Sequence, residues 1–181
     1  MLPILAGVGK MIIFVASKAD CESIAQMMKD SPKIGGKGLL IDSIHGDKHQ
    51  SDRNAALASL RKGRISALVA TDVASRGLDV DDIQTVINFD AAKNLDSHVH
   101  RVGRAGRLNR KTPESEHKKG VAYTLLTERN AEFARTLLEA FEREGRDVGD
   151  DLMKLAMKSK HYGGGGRTKW NRAGLGFAPP S

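Results

Sequence analysis

The sequence predicts an α/β domain built around a parallel sheet. Three observations predict it. Short apolar runs of strand type alternate with longer runs of helical period along most of the 181 residues, the pattern of strands joined by crossover helices. The first such run, residues 11–16 (MIIFVA), is apolar throughout, as a strand covered on both faces must be. Finally, the suggestive polar groups of the chain follow the ends of strand-like runs, where parallel sheets place their ligands.

Each element has its own signal. Residues 19–29 set Ile24, Ala25, Met27 and Met28 at helical spacing. Ser31-Pro32 and the glycines at 35, 36 and 38 read as a loop. Residues 39–44 form a second strand. Residues 50–62 form a helix with Ala55, Ala56, Leu57 and Leu60 inward, and Gly63 is placed to end it. Residues 67–70 and 86–89 supply two more strands. Asp96 or Ser97 can cap a helix that carries an arginine run. A fifth strand is expected over 121–126, and an amphipathic helix over 130–143 through Phe133, Leu137, Leu138 and Phe141, closing near Gly145. Residues 108–119 (LNRKTPESEHKK) read as an exposed loop, either a partner site or a surface insertion that the fold tolerates. One further helix is expected over 148–160, followed by a glycine-rich, basic, flexible tail over 161–181. The domain plan is therefore 1–145 for the α/β domain, 146–160 for an extension helix and 161–181 for the tail.

Composition narrows the function classes. A formal net charge of +7 points toward nucleic acid or another polyanion. Aromatics make up only 4%, which argues against a surface built on base stacking. The single cysteine, Cys21, permits no disulfide within the chain and no multi-cysteine zinc site, which fits a reducing intracellular compartment. It sits on a helix face and reads as a small core residue. No apolar run approaches bilayer length, so no membrane partner is expected. His45/His49 and His98/His100 have no acidic or cysteine partner at ligand spacing, so no metal site is expected. No nucleophile elbow or Cys/His protease pattern is present.

The densest chemistry lies in HRVGRAGR at 100–107. Arginines at 101, 104 and 107 repel one another and lose side-chain entropy when fixed, so such a run needs an anion to meet. Gly103, Ala105 and Gly106 leave room for a ligand or a second domain to come close. The alternative is a basic helix face that only meets solvent. After the second strand come His45-Gly46-Asp47 and then Gln50-Ser51-Asp52-Arg53. That helix start can receive a phosphate on its free N–H groups, or can be an ordinary cap with a surface arginine. After the third strand comes TDVASRGLD at 71–79. Thr71 offers a hydroxyl to a phosphate oxygen and Asp79 an acceptor to ribose hydroxyls; alternatively Asp72 and Asp79 shape the loop and pair with Arg76. Ser17 ends the first strand and serves a phosphate or simply caps the next helix.

Taken together, these motifs resemble the second RecA-like domain of DEAD-box RNA helicases, over roughly residues 11–143. IIFVAS at 12–17, HGD at 45–47, QSDR at 50–53, ATDVASRGLDV at 70–80 and HRVGRAGR at 100–107 stand in the family's order and spacing. The last two in tandem, separated by a strand ending in Asn88-Phe89-Asp90, are the specific ones. The C-terminal helix and tail look most like the spliceosome-associated branch. The resemblance implies a three-layer RecA-like domain with a mostly parallel sheet of at least five strands flanked by helices. It implies arginine fingers at Arg104 and Arg107, ATP ribose and sugar-phosphate contacts at Gly77 and Asp79, and links to a partner domain through His100 and Arg101. It further implies RNA phosphate contacts at Ser17, Gly46, Arg53 and Thr71, with Gln50 and Asp72 in support. ATP with Mg²⁺ is the implied cofactor. Because Gly7-Val8-Gly9-Lys10 is no phosphate loop and no Asp-Glu-Ala-Asp run is present, the metal would be held mainly by a first RecA-like domain outside this chain. The expected partners are RNA, that first domain and splicing or ribonucleoprotein proteins, in the nucleus rather than the cytoplasm. This half alone is expected to be inactive as an ATPase. Two other readings stay open: a non-enzymatic RNA- or protein-binding module, and a DNA-directed helicase. Ser17 and Ser75 stand where the family often has Thr and Ala, and the 108–119 loop is longer than the pattern.

Overall fold

A computed structural model describes residues 9–32, 40–75, 80, 83–106 and 120–160. They form β1 (Lys10–Val15), α1 (Lys18–Asp30), β2 (Ile41–Ile44), α2 (Gln50–Arg61), β3 (Ala67–Thr71), α3 (Asp72–Ser75), β4 (Ile83–Asn88), α4 (Leu95–Val102), β5 (Val121–Thr124), α5 (Ala131–Arg143) and α6 (Asp150–Ala156). The fold is an α/β domain, as the alternation of strand and helix signals predicts.

The five strands make one sheet in the order β2-β3-β1-β4-β5, and every pairing is parallel. β1 is central, which is why its sequence is apolar at every position from 11 to 15. Alternate side chains serve two separate cores. Met11, Ile13 and Val15 pack with Cys21, Ile24 and Ala25 of α1. Ile12 and Phe14 pack with Ala56 and Leu60 of α2. A strand with only one covered face would have shown alternation instead.

The helix ends follow local chemistry. Ser17 caps α1, its Oγ accepting from the Asp20 N–H at 3.0 Å. Gly63 follows α2 with φ +67°, a left-handed conformation that glycine adopts without strain. The cap of α4 is neither Asp96 nor Ser97 but Asn94, whose side chain accepts from the Ser97 N–H at 2.9 Å. The helix starts earlier than the sequence implies, and Asn serves the role as well as Asp or Ser.

By compactness the chain falls into two units, one ending at Leu126 and one starting at Thr127. In the second, α5 and α6 pack together, and Lys158 and the Lys160 N–H bond to Glu128 and Glu132. The expected loop at 108–119 and tail at 161–181 lie outside the described residues. Among the described residues no helix is long and apolar enough to cross a membrane.

Candidate functional site

Topology brings the sequence motifs to one edge. β2, β3 and β1 are neighbours with Ile44 opposite Ala70 and Val15 opposite Thr71, so their carboxyl ends are level. Thr71 is the last residue of β3, while Ser17 and Gly46 follow β1 and β2 by two residues each. Three motifs far apart in sequence therefore line one strip roughly two strand spacings, about 10 Å, wide. Behind Gly46, α2 opens with His49 at its cap, and the His49 side chain makes no capping bond. Gln50 Oε1 accepts from Arg53 Nη1 at 3.0 Å, so Gln50 steers Arg53 over the first turn. Ser17 displays its capping role: the hydroxyl also donates to Asp20 Oδ2 at 2.5 Å. Thr71 is buried.

The arginine run resolves into distinct jobs. Arg101, expected with His100 to face a partner domain, turns inward and is 3% exposed. Its Nε and Nη2 donate to the two carboxylate oxygens of Asp72 at 2.6 and 2.8 Å, and Nη1 donates to the Asp90 carbonyl at 2.7 Å. The guanidinium carbon stands 5.1 Å from the centroid of the Phe14 ring. The anion met by this arginine is part of the chain, because a buried guanidinium needs a carboxylate and a carbonyl wherever water is excluded. Asp72 therefore pairs across 29 residues of sequence with Arg101.

His100 points outward, its Nε2 3.7 Å from Asp96 Oδ1. Arg104 lies one turn beyond, Nε donating to the His100 carbonyl at 3.3 Å. Arg104, His100, Arg101, Asp96, Ser97, Asp72 and Phe14 line an open cleft of about 340 Å³. The third arginine, Arg107, lies outside the described residues, as do Gly77 and Asp79. His98, on α4, is buried. Burial, and then the Arg101 charge, hold its imidazole below the usual histidine range.

Gly106 leaves room for the chain itself. It has φ +70°, its N–H donates to the Ile83 carbonyl at 2.9 Å, and a Cβ there would lie 2.9 Å from the Gly120 nitrogen. The sequence pattern marks the need for small residues in this run but not which backbone fills the space.

Several residues escaped the sequence reading. Phe14 looks like plain core yet carries the Arg101 guanidinium. Asp90 binds the Ala16 N–H through Oδ2 at 2.8 Å as well as Arg101 through its carbonyl. Asn88 links Arg101 and Thr124. A run of Asn-Phe-Asp closing a strand is the signal that could have drawn attention to two of them. Cys21 is a core residue, its Sγ near the carbonyls of Val69 (3.2 Å) and Ile44 (3.4 Å), and burial pushes the thiol up to about 11. Among the described residues no group of three or more His, Cys, Asp or Glu is assembled for a metal ion.

A five-stranded parallel sheet, with Ser17, Gly46 and Thr71 at its carboxyl edge and an arginine-bearing helix beside it, is the architecture of a RecA-like domain. Residues 3–109 match the model of the helicase conserved C-terminal domain. The chain belongs to that family, as the C-terminal RecA-like domain of the DEAD-box helicases. It is 41% identical over 175 residues to the ATP-dependent RNA helicase DDX42 of Homo sapiens, covering 93% of this chain and 17% of that protein. It is 40% identical over 161 residues to DEAD-box ATP-dependent RNA helicase 24 of Oryza sativa subsp. japonica, covering 89% of this chain and 19% of the other. The chain thus spans about a fifth of these relatives' length. Among solved structures it is similar to the RNA-helicase Prp28 from Chaetomium thermophilum bound to ADP, with TM-score 0.66, 35% identity and coverage of 83% and 35% of the two chains. It is also similar to the E. coli DEAD-box protein SrmB bound to regulator of ribonuclease activity A, with TM-score 0.60, 27% identity and coverage of 83% and 82%.

Proposed function

We propose that this chain is the second motor domain of an ATP-dependent RNA helicase, supplying arginine fingers to ATP hydrolysis and phosphate contacts to single-stranded RNA. The observation that carries this reading is the clamp of Arg101 on Asp72. It ties α4 to the carboxyl end of β3, and Arg104 just past α4 lines the same cleft. A positioned guanidinium acts electrostatically, meeting charge that grows on a transferring phosphoryl group. Arg104 and Arg107 take that role, with Gly77 and Asp79 on the ribose side. ATP supplies the phosphoryl group and the free energy of its transfer. Arg104 is the lining cation placed to meet a triphosphate, because the Asp72 carboxylate in the same cleft is taken up by Arg101 and Asp96 faces His100. Mg²⁺ would be held mainly by the first RecA-like domain.

Ser17, Gly46, Arg53 and Thr71 hold RNA phosphates, with Gln50 and Asp72 behind them. Contacts of this kind position a strand without reading its sequence and weaken as salt rises. His100, on the outer face of α4, links the site to the first domain, and Arg101 acts on that link by holding α4. Residues 1–145 are the RecA-like domain and 146–160 its extension, this half alone has no ATPase activity, and the setting is a nuclear ribonucleoprotein. The test is RNA-stimulated ATP hydrolysis by the full-length protein. Arg104→Ala and Arg107→Ala should each lower turnover on the order of 10³-fold. Near-normal turnover in both variants would remove the finger role, and robust hydrolysis by this chain alone would overturn the division of labour.

A further inference from the structure

The turn after β2 is tied to α1 far more heavily than its length requires. Glu22, in the second turn of α1, reaches three groups of the β2 segment. Its Oε1 accepts from His45 Nε2 at 2.8 Å, its Oε2 accepts from Ser43 Oγ at 2.9 Å, and Lys48 Nζ stands 3.3 Å from Oε1. Lys48 Nζ also donates to the Ser43 carbonyl and hydroxyl, both at 2.8 Å. His45 Nδ1 accepts from the Asp47 N–H at 3.4 Å, which leaves Nε2 to carry the proton given to Glu22. A second tie runs from Lys18, in the first turn of α1, to Asp47 at 2.5 Å. Gly46 lies between these anchors.

The Lys18 and Asp47 side chains are 56% and 65% exposed, so that pair contributes little to folding. Glu22 is itself 51% exposed but ties down the buried Ser43 and His45, so its bonds hold the turn as well as stabilise it. Burial pushes the Glu22 carboxyl up, yet the hydrogen bonds from His45 and Ser43 and the Lys48 charge outweigh it and hold the carboxyl below the usual range. The ties also set geometry. They join the loop carrying Gly46 to the helix capped by Ser17, which are the two outer members of the phosphate strip.

We propose that Glu22 is a positioning residue for RNA binding, fixing the His45–Asp47 turn against α1 so that Gly46 and Ser17 hold the spacing of a bound phosphate backbone. This rests on the RNA reading of the strip. A loop ordered before the strand arrives lowers the ordering cost of binding.

The experiment is RNA-stimulated ATPase of the full-length protein, titrated with single-stranded poly(U), at fixed salt. Glu22→Ala should raise the half-saturating RNA concentration about three- to tenfold, the scale of lost positioning hydrogen bonds. Turnover at saturating RNA and the KM for ATP should stay unchanged. Glu22→Gln keeps an acceptor for His45 and should recover most of the RNA affinity. If Glu22→Ala fails to fold, Glu22→Asp, which keeps the charge but shortens the reach, carries the same expectation. Arg53→Ala serves as the control on the strip. If Arg53→Ala weakens RNA and Glu22→Ala does not, the positioning role is overturned while the RNA reading stands. If neither weakens RNA, the RNA reading falls and the proposal with it. If Glu22→Ala lowers turnover, ATP affinity and RNA affinity together, its role is merely structural and the proposal is overturned.

Discussion

Replacing Arg101 by alanine tests whether the arginine run is anchored from within. The substitution removes the fork that donates to both oxygens of Asp72 and to the Asp90 carbonyl, and it uncovers the Phe14 ring. Removing one partner of a buried ion pair costs about 3–5 kcal/mol. Arg101 is 3% exposed, but the Asp72 side chain is 29% exposed, so water can take up part of its orphaned charge. The lower end is therefore the better figure, about 3 kcal/mol. For a chain of this size each kcal/mol moves the melting midpoint by about 2–4 °C, so the fall should be roughly 6–12 °C. Arg101→Lys should recover less than half, because an ammonium cannot match a carboxylate in two places. Urea and thermal denaturation followed by circular dichroism measure both. The decisive arm is the cycle with Asp72→Ala. Coupled residues give a double variant well short of the sum of the singles, whereas independent ones add within about 0.5 kcal/mol. Additivity, or a loss under about 1 kcal/mol for Arg101→Ala, would refute the clamp.

Two further outcomes follow from the same region. Gly106→Ala puts a Cβ 2.9 Å from the Gly120 nitrogen at a φ of +70°, so it should lose about 1–3 kcal/mol in the same denaturation assay; a variant as stable as the parent would disprove the close approach. His98 predicts a pH effect. Its folded-state value lies below the unfolded 6.5, so its share of stability is complete above about pH 6.5 and is lost as pH falls and the unfolded chain takes up the proton first. Urea midpoints from pH 8 to 5.5 should fall more steeply for the parent than for His98→Gln; parallel curves would exclude a buried neutral imidazole.

The layers of this domain could be read from the chain with little error. Uninterrupted apolar residues at 11–15 mark a strand covered on both faces, and the 3.6-residue period marks the helices, because both patterns record burial directly. Motif positions were legible for a related reason. Ser17 and Gly46 each follow a strand and Thr71 ends one, and parallel strands bring all such residues to one edge. The helix caps were less legible: Asp96, Ser97 and Asn94 are all competent caps, and only the path of the chain selects Asn94.

What the sequence by itself determined is the parallel α/β class, the basic character and the carboxyl-edge placement of phosphate-type residues, since each depends on local pattern alone. Only the tertiary structure decided which way each charged side chain turns. Arg101 and Arg104 are of one residue type, three positions apart, and both line the cleft, yet Arg101 is 3% exposed with its fork on Asp72 while Arg104 donates to the His100 carbonyl past the end of α4. Asp72 and Arg101 meet because β3 and α4 converge on the same strand end, and Glu22 meets His45 because α1 lies along β2. Charge reaches across space, not along the chain, so its partners are settled by the packing that brings distant residues together.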